Sequence, residues 1–452
     1  MIVKKFGGTS VGSAARMRAV AEIVASSADH RSVVVTSAMS GVTDQLTRLL
    51  ELALDNQRES MEGVLDALRE RHRGVAVELV PEDRGFVERL EERLRDLRVL
   101  LRGARLTGRI TPRSADAVLG FGELLAQELL VAALIGRGRQ AVLVDSREAV
   151  ATDERFGAAR PLLAETEMRC RAQVVPWVEK GVIPVLGGYL GSTLDGIPTT
   201  LGRGGSDLSA SILALVLDAH RVEIWTDVDG VMTADPRVVR NARVIDQIGF
   251  RQAAVLSAHG AKVLHPASIA PAIRGGIPVR ICNAMAPDHR GTQITAQADE
   301  TSSPRIESIA HRKGLALLVL EHGGAMDPSE QATRVLGILA ERGIDPISLS
   351  FGPLETRLLI DLPEARLSST LEALEGTGEL RVRGRLGMVA VVGHRVLSDS
   401  ALLSLLREGL ERTPILQIDD GNAGDSLGFL VEEENVEELA RSLHRRLLEK
   451  DA

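Results

Sequence analysis

Short apolar runs rich in β-branched residues recur along the first two thirds of the chain, each bounded by turn-forming residues. They lie at Ile2–Phe6, Ser32–Ser37, Ala141–Asp145, Val182–Leu186, Arg221–Thr226 and Pro278–Cys282. Between them, apolar residues repeat at helical spacing over Ala14–Ser27, with Ser13 as N-cap, Ser206–Leu217 and Ile248–Leu264. This alternation predicts an α/β fold with a mostly parallel sheet covered by helices on both faces.

A long charged segment, at about residues 51–110, interrupts the alternation. It favours helix and contains few glycines, and an apolar seam runs through it at Phe86, Leu90, Leu94, Leu97 and Leu101. We expect an amphipathic helical insertion on the flank of the sheet rather than a helix that binds a partner.

A second pattern follows the polar, turn-rich stretch Gln297–Pro304, which we take as a domain boundary. The pattern strand, helix, strand, strand occurs twice beyond it, before a final helix at Val436–Leu448. Its first copy has strands at Leu315–Glu321, Pro346–Ser350 and Thr356–Asp361 and a helix at Ser329–Arg342; its second has strands at Gly387–Val392, Ile415–Asp419 and Leu427–Val431 and a helix at Ala401–Arg412. The repeat predicts two small α/β modules over residues 305–452, after a first domain over 1–296.

Composition narrows the function. The 452 residues carry a net charge of −8 and only 2% aromatics, which argues against a nucleic-acid surface. Cys170 and Cys282 lie far apart and fit neither a disulfide framework nor a zinc site. The N-terminus has no signal pattern, and no apolar run approaches membrane-spanning length. We expect a cytoplasmic enzyme without a membrane partner.

Three glycine loops lie at strand or hairpin ends. Gly7-Gly8 follows the first strand, Gly187-Gly188 follows a later one, and Gly204-Gly205 opens the helix at Ser206–Leu217. Glycine lets backbone N–H groups approach a phosphate closely, and a helix N-terminus offers free donors. None of the loops matches a known phosphate motif, but together they favour one phosphate cradle over three idle turns.

Charged residues flank these loops. Lys5 lies where the first strand meets its loop, and a cation there can neutralise the charge on a transferring phosphoryl group. We expect the neighbouring Lys4 to be a solvated surface charge, and His259 and His265 to be structural.

Several of these motifs together resemble the aspartokinase family. They are Lys5-Phe6-Gly7-Gly8-Thr9-Ser10, Leu201-Gly202-Arg203-Gly204-Gly205-Ser206-Asp207, Trp225-Thr226-Asp227-Val228, Ala234-Asp235-Pro236 and Gly260-Ala261-Lys262-Val263-Leu264-His265-Pro266. The resemblance implies an amino-acid-kinase three-layer sandwich, followed by two ACT-like ferredoxin-type βαββαβ regulatory modules. It also implies phosphorylation of the aspartate side chain by ATP with Mg²⁺, a homodimer formed through the modules, and no fused homoserine dehydrogenase.

The resemblance assigns roles to individual residues. It implies that Lys5 meets the transferred phosphoryl group and that Asp207 orients this lysine. Substrate contacts are implied for Ser37, Thr43, Glu123, which receives the α-ammonium, and Arg203, which grips the α-carboxylate. Nucleotide contacts are implied for Gly7, Gly8, Thr9, Ser10, Gly204, Gly205, Ser206, Thr226, Asp227, Met232, Asp235, Arg237 and Lys262. No residue is assigned as a metal ligand.

Phosphorylation of a carboxylate does not require a catalytic histidine, and the sequence shows no obvious one. A β-carboxylate has a pKa of about 3.9 and is already ionised at neutral pH, so its attack needs positioning and charge stabilisation but no general base. Two alternatives stay open: a sibling kinase acting on glutamate, and a non-catalytic amino-acid sensor.

The sequence departs from the family pattern at the nucleotide side and in the tail. Met232 stands where relatives often have tyrosine. In the first module, Asp327-Pro328-Ser329-Glu330-Gln331-Ala332 replaces a glycine-containing turn, Leu349–Glu355 replaces the usual effector-contacting segment, and Pro346 lies where a strand would begin; in the second, Gly421–Asp425 is unusual. The modules therefore either bind an end-product amino acid through altered contacts or have lost feedback binding and only dimerise.

Overall fold

The computed structural model describes residues 1–26, 31–260, 266–296, 298, 305–321, 327–361, 364–398, 400–410, 413–421 and 424–449. The chain forms two compact units. We call Met1–Val231, Asp246–Phe250 and Val263–Ala298 the N-terminal unit, and Met232–Ile245, Arg251–Lys262 and Asp299–Ala452 the C-terminal unit. Two short segments inside the first 296 residues thus belong to the C-terminal unit, and the limits 1–296 and 305–452 stay a prediction.

The N-terminal unit is built on one large sheet and a small hairpin. The strands of the sheet are β1 (Ile2–Phe6), β2 (Ser32–Thr36), β3 (Ala141–Leu143), β4 (Ile183–Gly187), β7 (Arg221–Thr226), β8 (Gln247–Gly249), β9 (Val279–Asn283) and β10 (Thr292–Thr295); β5 (Leu190–Ser192) and β6 (Pro198–Thr200) form the hairpin. The order is β3-β4-β2-β1-β7-β9-β10-β8, and neighbours pair in parallel except β9 with β10. Every residue of β1, β2 and β4 is buried, as expected for parallel strands covered on both faces.

Helices cover this sheet. They are α1 (Ala14–Ala25), α2 (Val42–Leu54), α3 (Arg58–Leu79), α4 (Arg84–Thr107), α5 (Pro112–Leu119), α6 (Phe121–Gly136), α7 (Ser146–Ala149), α8 (Leu163–Gln173), α9 (Val175–Glu179), α10 (Gly205–Val216) and α12 (Pro266–Arg274), whereas α11 (Phe250–Ala258) belongs to the C-terminal unit except for its first residue. Ser13 caps α1 as predicted, because its Oγ accepts the Arg16 N–H at 3.3 Å. The stretch Pro112–Gly136 is apolar enough to span a membrane by composition, but 78% of its most apolar window is buried inside the protein, as in a core helix.

Residues 51–110 contain the helix pair α3 and α4, and their status as an insertion stays a prediction. The seam residues Phe86, Leu90, Leu94, Leu97 and Leu101 are all buried and join the main apolar core. Ion pairs along the rim link the two helices, with Arg69 Nε 2.7 Å from Glu91 Oε2 and Arg98 Nε 3.1 Å from Glu62 Oε2. The helix pair is therefore an integral layer of the N-terminal unit.

The C-terminal unit contains the predicted repeat. Its elements are β11 (Arg305–Glu321), α13 (Pro328–Glu341), β12 (Ser348–Phe351), β13 (Glu355–Asp361), α14 (Glu364–Leu374), β14 (Glu379–His394), α15 (Ser400–Leu410), β15 (Gln417–Asp419), β16 (Ser426–Glu432) and α16 (Val436–Leu448). The strands form one antiparallel sheet in the order β12-β13-β11-β14-β16-β15. Two βαββα modules thus share a continuous sheet, and the predicted α/β class is confirmed for both units.

The two central strands of this sheet are longer than the sequence predicted. β11 and β14 pair from Arg305 opposite His394 to Glu321 opposite Glu379. The pairing shifts register near Lys313 and Leu315, and Gly314 has a φ of +74°. Charged residues and this irregularity break the apolar alternation, so the sequence pattern identified only one end of each strand.

Candidate active site

Lys5 lies on β1, in the middle of the parallel sheet between β2 and β7. Its Nζ is 2.6 Å from Oδ1 of Asp207, and the two side chains are 11% and 16% exposed. Asp207 comes from the first turn of α10, some 200 positions along the chain. The fold therefore brings the two predicted catalytic residues into direct contact at the carboxyl end of the sheet.

The expectation that Lys4 is a solvated surface charge is wrong. Successive side chains of a strand point to opposite faces, so Lys4 faces away from Lys5. Lys4 is 2% exposed, and its Nζ lies 2.6 Å from Oε2 of Glu223 on β7. The same carboxylate accepts the indole N–H of Trp225 at 3.1 Å. Lys4 is a buried, paired lysine because a strand covered on both faces has no solvent side.

The first glycine loop packs tightly against the loop after β2. A Cβ on Gly8 would lie 2.7 Å from the Ala38 carbonyl oxygen, so only glycine fits there. The loops are also joined by backbone hydrogen bonds from Ser37 N to Phe6 O at 3.0 Å and from Ser40 N to Gly8 O at 3.1 Å. The hydroxyl of Ser10 is buried and has no hydrogen-bond partner among the described residues, which leaves it available to a ligand.

The other two glycine loops meet each other and the end of β2. The Gly188 N–H donates to Thr36 O at 2.8 Å, and a Cβ on Gly188 would lie 2.6 Å from Cβ of Ser206. Gly204, at a φ of +70°, is the N-cap of α10 and has no side chain that could cap the N–H groups of the helix. The predicted convergence of the glycine loops is therefore present in the fold, whereas their role as a phosphate cradle stays a prediction.

The predicted substrate residues lie on the loops and helix starts around this point. Ser37 follows β2 and is half-buried, while Thr43 is exposed in the first turn of α2. Arg203 is exposed on the turn that leads into α10. Within the ranges that the structure describes, no carboxylate pairs with Arg203, so its guanidinium remains available for a ligand's carboxylate.

Glu123 stands apart as a buried carboxylate in the first turn of α6. It is 4% exposed, and its Oε1 accepts the Ala38 N–H at 3.1 Å. Its other oxygen, Oε2, has no hydrogen-bond partner in the described part of the chain. Burial raises the pKa of Glu123 to about 8, against the opposing effects of the Ala38 N–H and the Lys5 charge. At neutral pH the empty site therefore holds mainly the neutral acid, and an ammonium group placed beside Oε2 would favour the ionised form.

The predicted nucleotide-side residues fall in both units. Thr226 ends β7 and Asp227 follows it in the N-terminal unit, where the Thr226 hydroxyl donates to Asp227 Oδ1 at 3.2 Å. Met232, Asp235 and Arg237 belong to the C-terminal unit. There Asp235 Oδ2 lies 2.6 Å from Arg237 Nη2, and this hydrogen bond lowers the pKa of Asp235.

Two predicted residues, Lys262 and His265, lie outside the described residues. His259 is described: burial lowers the pKa of its imidazole, which keeps it neutral near pH 7. Its structural role stays a prediction.

Three polar residues were missed by the sequence reasoning: Asp116 and Gln127, which are buried, and Tyr189, which is half-buried. The Asp116 carboxylate accepts the N–H groups of Gly157 and Thr200 at 2.9 Å and the Thr200 hydroxyl at 2.8 Å, and so holds loop and hairpin together. Tyr189 has a φ of +69°, and a Cβ on Gly205 would lie 2.6 Å from Cδ2 of its ring. Gln127, one turn after Glu123, is fully buried, with no partner for its amide among the described atoms. No local motif marks these residues, since their contacts lie far away in sequence.

A model of the amino acid kinase family matches residues 1–283. The chain belongs to this family. It is also 34% identical to the lysine-sensitive aspartokinase 3 of Escherichia coli (strain K12), across 99% of this chain and 99% of that protein. Within the family it therefore belongs with the aspartokinases, and the resemblance inferred from the sequence is confirmed.

Solved structures agree over the whole chain. The crystal structure of E. coli aspartokinase III in complex with aspartate and ADP matches with a TM-score of 0.86 at 34% identity, covering 99% of both chains. The aspartate kinase of Clostridium acetobutylicum matches with a TM-score of 0.78 at 22% identity, which shows a common fold. The chain also matches a bifunctional aspartokinase/homoserine dehydrogenase of Daucus carota at 33% identity, but spans only 47% of that protein.

Replacing Glu123 with glutamine should stabilise the unliganded protein progressively as the pH rises. The folded carboxyl titrates at about 8, against a normal value of 4.5. Between these values the folded protein keeps a proton that the unfolded chain has released, so wild-type stability falls as the pH rises, while glutamine cannot ionise. Urea unfolding of wild type and E123Q at pH values of about 5, 7 and 9 would measure the difference. A difference that does not grow with pH would contradict the burial of an unpaired carboxyl group.

Proposed function

We propose that this protein is an aspartate kinase, which transfers the γ-phosphoryl group of ATP to the β-carboxylate of L-aspartate. The product is 4-phospho-L-aspartate, the first intermediate toward amino acids such as lysine, threonine and methionine. The Lys5–Asp207 contact at the meeting point of the glycine loops carries this proposal, supported by the whole-length match to aspartokinases.

The buried cation explains how transfer would be accelerated. Lys5 is held by Asp207 in a site with little solvent, where a positive charge stabilises the transferring phosphoryl group more strongly than it would in water. Asp207 fixes the direction of the ammonium group and makes Lys5 a positioned donor. The β-carboxylate is ionised already, so no residue has to remove a proton from it.

Substrate selection would rest on the positive charge of Arg203 and on Glu123, whose ionised form the α-ammonium of the substrate would favour. The guanidinium of Arg203, which pairs with no carboxylate of the described residues, can bind the α-carboxylate in a two-point contact, and Glu123 can pair its Oε2 with the α-ammonium. Together they would recognise an α-amino acid and leave its side-chain carboxylate free to react. Ser37 and Thr43 complete the proposed substrate site.

The nucleotide would be bound by backbone N–H groups of the glycine loops, by Ser10, and by Thr226, Asp227, Met232, Asp235, Arg237 and Lys262. We propose that Mg²⁺ enters with ATP. The described residues contain no group of three or more His, Cys, Asp or Glu side chains able to hold a metal by themselves. This donor set suits an ion held mainly by phosphate oxygens and water, and bound Mg²⁺ would neutralise phosphate charge.

We propose a cytoplasmic homodimer that associates through the ACT-like modules of the C-terminal unit. The two cysteines are buried and unpaired, which suits a reducing compartment. The sheet of the C-terminal unit ends in β12 and β15, whose outer edges can pair with a second copy.

Trapping the product tests the proposed function. An acyl phosphate is a reactive anhydride, so hydroxylamine should capture it as a hydroxamate when ATP, Mg²⁺ and aspartate are supplied. A hydroxamate formed with glutamate but not with aspartate would favour the sibling kinase. No hydroxamate with either amino acid would favour the amino-acid sensor.

In the same assay, Lys5→Met should lower kcat by about 10²–10³, because it removes a preorganised charge at the transferring group. The exposed Lys180 offers a matched control in the same unit, and Lys180→Met should keep wild-type turnover. A near-wild-type kcat in K5M would show that Lys5 does not contribute to phosphoryl transfer.

Arg203→Ala should mainly raise the KM for aspartate, since it removes the proposed α-carboxylate contact and leaves the phosphoryl site intact. Arg137→Ala, at an exposed arginine paired with Glu22, is the control and should leave KM unchanged. An unaltered KM for aspartate in R203A would refute the proposed contact between Arg203 and the α-carboxylate.

We further propose that feedback binding is altered or lost. At the start of α13, the Asp327 side chain accepts the Ser329 N–H at 2.8 Å. A carboxylate of the chain itself thus occupies a helix N-terminus that could otherwise receive the carboxylate of an amino-acid effector. The E. coli relative, by contrast, is named as lysine-sensitive.

An amino-acid panel at about millimolar concentration tests this proposal, since that range is typical of metabolite binding. We expect lysine and threonine to leave activity nearly unchanged, while the E. coli enzyme in parallel serves as the lysine-sensitive control. Strong inhibition by lysine would show that the altered first module still binds it.

A further inference from the structure

The segment Met232–Ile245, which carries three of the proposed nucleotide residues, forms a short hairpin within the C-terminal unit. Met232 and Val244 form an antiparallel bridge, and the Thr233 N–H donates to Arg243 O at 2.8 Å. At the turn, Asp235 O accepts the N–H groups of Val238 and Val239. Asp235 and Arg237 therefore sit at the tip of a hairpin whose base is formed by Thr233 and Arg243.

A buried histidine of the last helix contacts the base of this hairpin. His444, on α16, is 0% exposed, and its Nε2 lies 3.0 Å from Oγ1 of Thr233. The Thr233 hydroxyl oxygen also accepts the Arg243 N–H at 2.9 Å. One side chain of α16 thus meets the residue at which both strands of the hairpin are joined.

The contact of the other ring nitrogen indicates which atom donates in the hydrogen bond between His444 and Thr233. His444 Nδ1 lies 2.8 Å from Oε1 of Glu449, a carboxylate whose pKa is lowered by hydrogen bonds from Asn241 and His444. An ionised carboxylate only accepts, so Nδ1 carries the proton. When the imidazole carries this single proton, Nε2 accepts a hydrogen bond from the Thr233 hydroxyl. Each hydrogen bond in the series from Glu449 through His444 and Thr233 to Arg243 thus joins a donor to an acceptor.

Further contacts tie the same hairpin to the same end of α16. Asn241 Nδ2 donates to Glu449 Oε2 at 3.2 Å, and Arg243 Nη2 donates to Leu448 O at 2.8 Å. Ala234 and Val239 share an apolar cluster with Leu443. On the opposite side, the Ile309 N–H of β11 donates to Thr233 O at 2.8 Å. The base of the hairpin is thereby held between β11 and α16.

We propose that His444 is a positioning residue for the nucleotide site: its bond to Thr233 holds the hairpin in the conformation that presents Met232, Asp235 and Arg237 to ATP. The inference rests on the proposed function, because it takes these three residues as nucleotide-binding. It adds that the affinity for ATP depends on the C-terminal helix of the regulatory modules, through a residue that itself touches no nucleotide.

Four substitutions test the proposal in the full-length protein. In His444→Phe and His444→Asn no polar atom reaches the position of Nε2, whereas the longer amide of His444→Gln does. We expect H444F and H444N to raise the Kd for ADP and the KM for ATP by about three- to tenfold, the effect of one buried hydrogen bond. H444Q should recover most of the affinity, and the KM for aspartate should stay unchanged in all three. Arg446→Gln is the control, since it removes an ion pair to Glu408 from the same helix without touching the hairpin and should leave ADP binding unaltered.

Two results would overturn the proposal. The first is a folded H444F protein that melts at lower temperature but binds ADP as the wild type does. The second is an H444F protein in which the KM for aspartate rises as much as the KM for ATP. If H444F and H444N do not fold, Thr233→Val removes the other partner with little change in volume and should weaken ADP binding similarly; wild-type binding would refute the bond's role. Arg237→Ala separates this failure from that of the proposed function. Weakened ADP binding in R237A with normal binding in H444F would reject His444 alone, and normal binding in both would reject the nucleotide role of the hairpin.

Discussion

The arrangement of the N-terminal unit depends on keeping a lysine and an aspartate charged and in contact where little water reaches them. Removing two charges from water is costly, and their attraction repays the cost only when the geometry is good. Lys5 and Asp207 achieve a 2.6 Å contact because the ammonium comes from the central strand and the carboxylate from a helix that begins at the same edge of the sheet. The close approach of the loops around them requires glycine at positions 8 and 188, where a side chain would meet the neighbouring chain. The glycines thus serve the packing of the site as well as any contact with phosphate.

Much of this could be predicted from the sequence, because the information is local. A buried strand followed by glycines, or a glycine pair opening a helix, can be recognised within ten residues. The burial of Lys4 and its ion pair could not be predicted this way. Its partner Glu223 lies 219 positions away, on a strand that becomes adjacent only after folding. Asp116 is a similar case, with partners 41 and 84 positions distant. The lengths of β11 and β14 were underestimated for another reason: a register shift and charged residues interrupt the two-residue period.

The hairpin at Met232–Ile245 shows why sequence order is a poor guide to the compact units. Its residues precede the last strands of the N-terminal sheet, yet its hydrogen bonds go to β11 and α16 of the C-terminal unit. The family motif marks Asp235 as a candidate nucleotide residue, but it contains nothing about His444, which contacts the hairpin from the end of the chain. Residues proposed for nucleotide binding are thus built into the same unit as the regulatory modules.

The long pairing of β11 with β14 constrains how the tail can evolve and come apart. One half of each strand lies in the first module and the other half in the second, so neither module has a complete sheet without its neighbour. A protease cut between them would not release a folded fragment, and the pair should melt in a single cooperative transition. New effector specificities can therefore arise by changing loops and helix ends on this shared platform, but not by exchanging one module as an independent cassette.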